Sequence, residues 1–198
     1  MREEPLEVEE KGSRAEVDKR VPCSKRKEGL NEACAMIERT FVAIKPDGVQ
    51  RGLVGEVLKR FENAGLKIVG MKMQWIDKEF AKKHYTEDIA KRRGEHVREM
   101  LLDYITEGPI IVMVLEGVHA VEVVRKIVGP TEPKAALPGT IRGDFTHMSF
   151  AHADLHKKSV KNIIHASGDK KDAEYEVDLW FNKNELFTYK TVHDIHLL

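Results

Sequence analysis

A short apolar segment in the last quarter of the chain presents one histidine beside a serine. It reads Asn-Ile-Ile-His-Ala-Ser over residues 162–167. Paired isoleucines favour extended backbone, so we predict a β-strand that starts at Asn162, and the turn and cap residues over 166–169 end it. His165 and Ser167, two positions apart, then lie on one face of that strand. The imidazole there is either a nucleophile that works near neutral pH or a core side chain satisfied by the serine hydroxyl.

A loop that contains glycine and proline carries the candidates for an anion site. Over residues 125–143 these are Arg125, Thr131, Lys134, Thr140 and Arg142. Guanidinium groups hold phosphate oxygens with paired donors and stay charged at physiological pH, and a threonine hydroxyl adds another donor. Lys45, at the end of an earlier apolar run, offers a point charge from a second loop. Solvated surface charges are the alternative, since most Arg and Lys side chains are exposed.

The composition is that of an ordinary globular chain without a strong overall field. Its 198 residues are 41% apolar and 33% charged, and 33 basic side chains balance 33 acidic ones. Zero net charge argues against recruitment by nucleic acid or by an acidic membrane surface, and no run approaches the roughly 18 to 20 apolar residues that span a bilayer. The cysteines, Cys23 and Cys34, give neither a disulfide framework nor a thiolate zinc cluster. We therefore expect a cytoplasmic protein with no membrane partner.

Periodicity divides the chain into a tail and one folded domain. Residues 1–35 lack aromatic residues and alternate Glu, Lys and Arg, so we predict a disordered N-terminal tail before a domain over 36–198. Predicted strands cover 40–44, 67–75, 110–115 and 162–166, and predicted helices cover 52–64, most of 78–106, a segment ending at Gly129, and a segment through Trp180. This order predicts an α/β (α+β) fold, a ferredoxin-like sandwich whose four-stranded antiparallel sheet is covered on one face by helices.

Three motifs in order resemble the nucleoside diphosphate kinase family. They are Lys-Pro-Asp-Gly-Val-Gln-Arg-Gly over 45–52, Pro-Gly-Thr-Ile-Arg-Gly-Asp-Phe over 138–145, and the histidine segment over 162–167. The resemblance runs from about residue 37 to 190, and Tyr85, Gly108-Pro109 and Leu179-Trp180-Phe181 fall at matching places. It implies a phosphotransferase that moves the γ-phosphoryl group of a nucleoside triphosphate such as ATP to a nucleoside diphosphate, by a ping-pong mechanism through phosphohistidine.

The same resemblance implies a role for each candidate residue. His165 is the nucleophile, Glu176 and Ser167 support its ring, and Tyr85 supports the histidine and the lysine. The residues implied to contact the nucleotide are Lys45, Arg125, Thr131, Arg142 and Asn162. Magnesium is expected to arrive bound through the nucleotide phosphates rather than on protein ligands, and a homo-oligomer, either a hexamer or a tetramer, is the implied assembly.

The chain departs from the family pattern at three places. The aromatic platform expected for the base after Tyr85 has no counterpart, and Val97 lies nearest. The link between Phe145 and Asn162 is longer than in the commonest members, and Gly168 stands where an Asp is usual. The link carries His147, and it also contains the spacing His-x-Asp-x-His over 152–156, which a metal can use on an extended segment, although solvated loop histidines are the ordinary case.

Two other classes of function compete with the kinase interpretation. A catalytically silent module that binds nucleotides or single-stranded nucleic acid would fit a ferredoxin-like sheet, but it would not need His165, Glu176 and Tyr85 together with a phosphate clamp. A protein-histidine phosphotransfer partner would need a histidine open to another protein, not one recessed among arginines. The kinase interpretation uses all of these residues at once.

Overall fold

The computed structural model describes residues 36–196, and the predicted tail, with both cysteines, lies outside the described residues. The strands are β1 (Ile37–Ile44), β2 (Lys67–Gln74), β3 (Ile110–Val118) and β4 (Ile164–Ala166). The first helices are α1 (Pro46–Gln50), α2 (Val54–Asn63), α3 (Lys78–His84), α4 (Glu87–Arg93) and α5 (Glu95–Thr106). They are followed by α6 (Ala120–Val128), α7 (Ile141–Phe145), α8 (Phe150–Leu155), α9 (Lys170–Trp180) and α10 (Val192–His196), with 3₁₀ turns at Pro133–Ala135 and Lys183–Glu185.

The strands form one antiparallel sheet in the order β2-β3-β1-β4. The register places Ala43 opposite His165 and Val42 opposite Met113. The predicted fold class, a ferredoxin-like sandwich with a four-stranded antiparallel sheet, is confirmed. The sheet therefore carries the histidine on a short edge strand beside β1, whose last five residues are all buried.

Helices cover both faces of the sheet, so the expectation that they cover one face is wrong. Phe41 and Ala43 pack on one side with residues of α3, α5 and α9, whereas Val42 and Ile44 pack on the other side with α2 and α6. All four side chains are fully buried. An unbroken apolar run in a strand is typical of a sheet that is buried on both faces, and that signal was present in the sequence.

Several predicted elements have different bounds in the structure. The second loop, which was expected to carry Lys45, passes at once into helix α1, because Lys45 is its N-cap residue and Pro46 suits the first turn of a helix. The helical stretch 78–106 is three helices, since Thr86 has extended backbone at the N-cap position of a new one and Gly94, with φ of 93°, interrupts the chain again. The segment 129–143 contains the start of α7 as well as loop.

The histidine strand is shorter than predicted. It begins at Ile164 rather than Asn162, because Ile163 has φ of 70° and the Ile164 N–H donates to the Asn162 carbonyl at 2.8 Å. This hydrogen bond closes a three-residue γ-turn directly before the strand. The chain thus changes direction one residue before it pairs with β1.

The long link contains helix α8 instead of an extended segment. Ser149 caps it by accepting a hydrogen bond from the His152 N–H, so the extended geometry considered for a metal site over 152–156 is wrong. Between residues 36 and 196, none of the helices combines the length and the apolar composition needed to cross a membrane.

Candidate active site

His165 and Ser167 meet on the carboxylate of Glu176. Strand β4 presents the histidine toward α9, where its Nε2 lies 2.8 Å from Glu176 Oε1, and the Ser167 hydroxyl donates to Glu176 Oε2 at 2.6 Å. Burial opposes ionisation of Glu176, but the contacts with His165 and Ser167 outweigh it and hold its pKa at about 2. Because an ionised carboxylate only accepts, Nε2 carries the ring proton, and Nδ1 keeps its lone pair for a substrate.

A second histidine, His84, packs against the first, and the sequence analysis missed it. The two ring centroids are 4.7 Å apart at 83°. Trp180 Nε1 donates to His84 Nδ1 at 3.3 Å, and burial, with the nearby His165, lowers the pKa of His84 to about 3. His84 is therefore an uncharged ring that packs against His165. Ala81 and His84 lie three apart on the inward face of α3, which is the signal that the sequence offered.

Tyr85 lies in the site but not in its predicted contacts. The side chain is buried and packs against His84, with ring centroids 4.7 Å apart. Its hydroxyl finds no hydrogen-bond partner among residues 36–196, so it bonds to neither His165 nor Lys45. Burial raises the pKa of Tyr85 above its usual value, so the O–H stays protonated and is free to donate to a ligand.

Lys45, Asn162 and Thr131 are connected in a chain of hydrogen bonds. Lys45 Nζ donates to Asn162 Oδ1 at 2.9 Å, and Asn162 Nδ2 donates to the Thr131 carbonyl at 3.0 Å. Lys45 is 4% exposed, and burial together with Arg142 lowers its pKa to about 7. A buried ammonium with so low a pKa gains strongly from an anion, which is what a phosphate supplies.

Arg142 is fixed by backbone carbonyls before any ligand arrives. Its Nη1 donates to the Gly129 carbonyl at 2.7 Å, its Nη2 to the Ile164 carbonyl at 2.6 Å, and its Nε weakly to the Asn162 carbonyl at 3.4 Å. Three of the five guanidinium N–H groups are thereby used, and two stay available. Burial and the neighbouring Arg125 lower the pKa of Arg142 to about 10, so it remains charged at neutral pH.

Arg125 approaches the same place from helix α6. Its side chain is exposed, and Nη1 donates to the Ser167 carbonyl at 3.3 Å. This contact brings an exposed guanidinium next to the histidine strand. Together with Lys45 and Arg142 it gives the site three cations from three separate segments.

One cavity of about 610 Å³ collects almost all of the predicted residues. Its lining includes His165, Glu176, Tyr85, Lys45, Arg125, Thr131, Arg142 and Asn162. Ser167 does not line it, and its hydroxyl donates to Glu176 from outside the cavity. Lys134 does not line it either, and Thr140 instead caps α7 by accepting from the Gly143 N–H. The structure thus separates the phosphate candidates of the loop from its structural residues.

The cavity also has an apolar part that the sequence analysis missed. Ile89, Val97 and Leu101 line it from α4 and α5, and Phe150 and Ala153 line it from α8. The segment directly after Tyr85 contributes no aromatic platform, but Phe150 in the long link places an aromatic side chain in the cavity. The signal in the sequence was the Ser149 cap followed by apolar residues at helical spacing.

Gly168 also lines the cavity, next to a carboxylate. A β-carbon at this position would stand 2.5 Å from Asp172 Oδ2, so the Asp172 side chain fills the space beside the glycine. Burial and the neighbouring Asp169 raise the pKa of Asp172. The chain thus has a carboxylate close to the position where the family pattern has Asp, but it comes from α9.

The metal candidates of the sequence do not assemble. Over residues 36–196, the group of His, Cys, Asp or Glu side chains that is close enough to share an ion is His84, His165 and Glu176. These atoms already bond to one another or to Trp180. His152 and His156 stack at 4.5 Å on α8 without joining such a group.

The chain is similar to nucleoside diphosphate kinases along most of its length. A sequence model of the family described as nucleoside diphosphate kinase matches residues 38–186. The nucleoside diphosphate kinase of Pyrococcus furiosus is 53% identical over 153 residues, which cover 77% of this chain and 88% of that protein. That of Borreliella burgdorferi is 47% identical over 156 residues, which cover 78% and 93% of the two chains.

Two solved structures have the same architecture. A transition state mimic of the nucleoside diphosphate kinase from Borrelia burgdorferi, with bound vanadate and ADP, matches with a TM-score of 0.80 and 45% identity, over 82% of this chain and 97% of that one. A halophilic nucleoside diphosphate kinase from Halobacterium salinarum, in complex with CDP, matches with a TM-score of 0.70 and 39% identity, over 81% and 98%.

Proposed function

This chain belongs to the nucleoside diphosphate kinase family and is a phosphotransferase that acts on nucleotides, and we propose that His165 is the residue that carries the phosphoryl group. The observation that carries this assignment is the contact of His165 Nε2 with the Glu176 carboxylate, at 2.8 Å. It leaves the Nδ1 lone pair for a cavity that is lined by Lys45, Arg125 and Arg142. A nucleophile beside three cations suits a triphosphate.

The proposed reaction has two half-steps that mirror each other. In the first, His165 Nδ1 attacks the γ-phosphorus of ATP, an N–P bond forms, and the bond to the bridging oxygen breaks, so that its electron pair leaves with ADP. Glu176 stabilises the positive charge that grows on the ring by holding the Nε2 proton. In the second, a terminal oxygen of another nucleoside diphosphate attacks the same phosphorus, and the electron pair of the N–P bond returns to the imidazole.

Positive charge and the positioning of the substrate lower the barrier further. Phosphoryl transfer spreads negative charge over the equatorial oxygens, so fixed donors lower the barrier more than acid or base groups do. We assign this role to Lys45, Arg142 and Arg125, with the Thr131 hydroxyl and Asn162 as further contacts. The vanadate and ADP bound by the Borrelia burgdorferi protein support the assignment, because vanadate adopts the geometry of a phosphoryl group in transit.

Magnesium fits the site as an ion carried by the nucleotide. The phosphate end of the cavity offers the ammonium of Lys45 and the guanidinium groups of Arg125 and Arg142, which bind phosphate oxygens and not metal cations. Lys45 and Arg142 would hold the phosphates to which the ion is bound. The ion would shield charge on the β and γ oxygens.

We place the base in the apolar part of the cavity. Phe150 and Ala153 of α8 offer an aromatic face and a small neighbour, and Val97 and Leu101 add aliphatic contacts. Such a slot holds any base by stacking and apolar contact, which supports broad use of nucleoside diphosphates. The CDP bound by the Halobacterium salinarum protein is consistent with a pyrimidine as substrate.

The assembly and the location stay predictions. A homo-oligomer, either a hexamer or a tetramer, is supported by exposed apolar side chains along the edge strand β2, where Met71 and Met73 are 51% and 58% exposed. A cytoplasmic location rests on the composition of the sequence and the scarcity of cysteine. Size measurement in solution and cell fractionation check the two.

Labelling with γ-labelled ATP tests the assignment of His165 directly. With magnesium present, the parent protein should acquire an acid-labile phosphate that any added nucleoside diphosphate removes. His165→Ala should abolish the label, whereas His193→Ala, which changes an exposed histidine on α10, should keep it. A label that survives His165→Ala, or a parent that takes none, as a silent nucleotide-binding module would, contradicts the proposal.

A further inference from the structure

The backbone immediately before His165 is held in a conformation that its sequence does not favour. Ile163 has φ of 70°, which is rare for a β-branched residue, and the hydrogen bond from Ile164 N–H to the Asn162 carbonyl makes it the centre of a γ-turn. The turn spans residues 162–164. Its first residue, Asn162, contacts Lys45, and His165 follows the turn directly. Strained backbone persists only where surrounding contacts hold it in place.

A carboxylate and a phenol from two other elements hold the turn. Asp47 Oδ2 accepts from the Ile163 N–H at 3.2 Å, and the Tyr104 hydroxyl accepts from the Asn162 N–H at 3.2 Å. The same hydroxyl donates to Asp47 Oδ1 at 2.5 Å. One pair of side chains, from α1 and α5, thus satisfies the first two N–H groups of the turn.

The pair is suited to a fixed, dry position. Tyr104 is 1% exposed, and burial with the nearby Asp47 raises its pKa well above the usual value, so the hydroxyl keeps the proton that it donates. Helix α1 also packs directly on the turn, because a β-carbon on Gly48 would stand 2.7 Å from Ile163 Cγ2. The contact leaves the turn no room to relax toward α1.

We propose that Asp47 and Tyr104 are positioning residues for phosphoryl transfer, which hold the 162–164 turn and thereby place Asn162 against Lys45 and His165 against the substrate. The inference rests on the proposed role of His165. Neither side chain lines the cavity, so they act through the turn and not on the nucleotide. An ordinary buried polar pair would affect stability alone, whereas a positioning pair affects the chemical step.

Tyr104→Phe isolates the hydroxyl. The ring that lies 4.9 Å from Lys45 Nζ is kept, and only the two hydrogen bonds of the oxygen are lost. Tyr189→Phe is the matched control, because it also removes one phenolic hydrogen bond, to the Ile68 carbonyl, at a place outside the cavity lining. Single-turnover formation of phosphohistidine at saturating ATP, and the KM for ATP, are measured for the parent and both variants.

We expect Tyr104→Phe to slow phosphohistidine formation roughly tenfold to a hundredfold with little change in KM, because a small misplacement of a nucleophile costs rate more than binding. Tyr189→Phe should match the parent. A Tyr104→Phe rate within about twofold of the parent, or an equal loss in Tyr189→Phe, overturns the positioning role. A parent that forms no phosphohistidine overturns the proposed function itself, which separates the two failures.

Asp47→Asn gives a second readout that loss of stability would not produce. The charged groups that act on Lys45 are Asp47, which raises its pKa, and Arg142 and Lys161, which lower it. With residue 47 neutral, Lys45 loses its proton at lower pH, so the alkaline limb of kcat/KM for ATP should move to lower pH in Asp47→Asn and stay in place in Tyr104→Phe. An unmoved limb in Asp47→Asn, together with an unchanged rate, overturns the inference even if Tyr104→Phe does not fold.

Discussion

Glu176 has the most demanding position of any single side chain in the site. It is 7% exposed, yet it accepts hydrogen bonds from both His165 and Ser167 and keeps its negative charge. A buried carboxylate without such partners would take up a proton, so the contacts with His165 and Ser167 are needed to keep Glu176 ionised. The contact that orients His165 is therefore also a contact that keeps Glu176 ionised.

Glu176→Gln should slow phosphohistidine formation by roughly tenfold to a hundredfold, because an amide cannot stabilise the charge that grows on the imidazole. Single-turnover labelling with saturating ATP measures the rate. Glu174→Gln, an exposed change on the same helix, is the control and should have no effect. Equal rates for the parent and Glu176→Gln would remove the glutamate from the mechanism.

The same substitution should flatten the acid dependence of stability. The folded pKa of Glu176 is about 2, against an unperturbed value of 4.5, so its ionisation stabilises the fold above pH 4.5 and this contribution is lost as the pH falls toward 2. It corresponds to at most about 3 kcal/mol. Denaturant unfolding at several pH values should show a steeper loss in the parent than in Glu176→Gln, and parallel curves would contradict the pKa shift.

Helix α8 changes what the long link does. The link was expected to be an extended loop, but its helix turns Phe150 and Ala153 toward the cavity and leaves Leu155, 78% exposed, on the outside. The chain therefore supplies an aromatic wall from a segment that lies after the phosphate loop instead of before it. The proposed base site therefore uses an element that the family pattern does not require.

Phe150→Ala should weaken the binding of ADP by roughly fivefold to a hundredfold, the usual range for loss of one base–aromatic stack. Binding of inorganic tripolyphosphate should not change, because it has no base to stack. Isothermal titration of both ligands makes the comparison, with Phe187→Ala, an exposed aromatic outside the cavity lining, as the control. Equal losses for ADP and tripolyphosphate would show that Phe150 supports the fold and not the base.

Local patterns predicted the central strands because they are unbroken apolar runs, and they predicted most helices because each buries one face whose period is visible in the sequence. Two features of the site could not be predicted in that way. The turn at Ile163 depends on Asp47 and Tyr104, whose contacts join residues 116 and 58 positions apart. His84 is a neighbour of His165 only because α3 and β4 meet on one side of the sheet. The nine residues to which the family resemblance gave a role were found because that resemblance marked them, and all nine except Ser167 line the cavity.

At the scale of the whole molecule, strand β2 is the edge of the sheet opposite β4. Its first half is partly covered, because the Phe187 N–H donates to the Val69 carbonyl and the Tyr189 hydroxyl donates to the Ile68 carbonyl. It ends the order β2-β3-β1-β4, and Met71 and Met73 on the strand, with Trp75 directly after it, are each more than half exposed. An edge strand with exposed apolar side chains is where a second copy of a chain most readily pairs. This surface supports the proposed homo-oligomer.

Met73→Lys should shift the protein toward smaller species, because a desolvated ammonium opposes pairing at that surface. Sedimentation velocity at micromolar protein follows the change. Leu137→Lys, which places the same charge on another exposed apolar residue, is the control and should leave the assembly intact. A parent that sediments as a monomer contradicts the predicted oligomer, and an unshifted Met73→Lys contradicts the role of β2.

The opposite edge of the sheet is closed by a side chain. The Lys45 N–H bonds to the Ile163 carbonyl toward β1, so the next carbonyl, that of Ile164, points away from the sheet, where it accepts from Arg142. The Ile164 N–H is taken by the γ-turn. Arg142 thus stands where a fifth strand would hydrogen-bond, which leaves the sheet with one extendable side. In the proposed homo-oligomer, growth by strand addition would therefore end after one pairing event, which favours a closed assembly over a fibre.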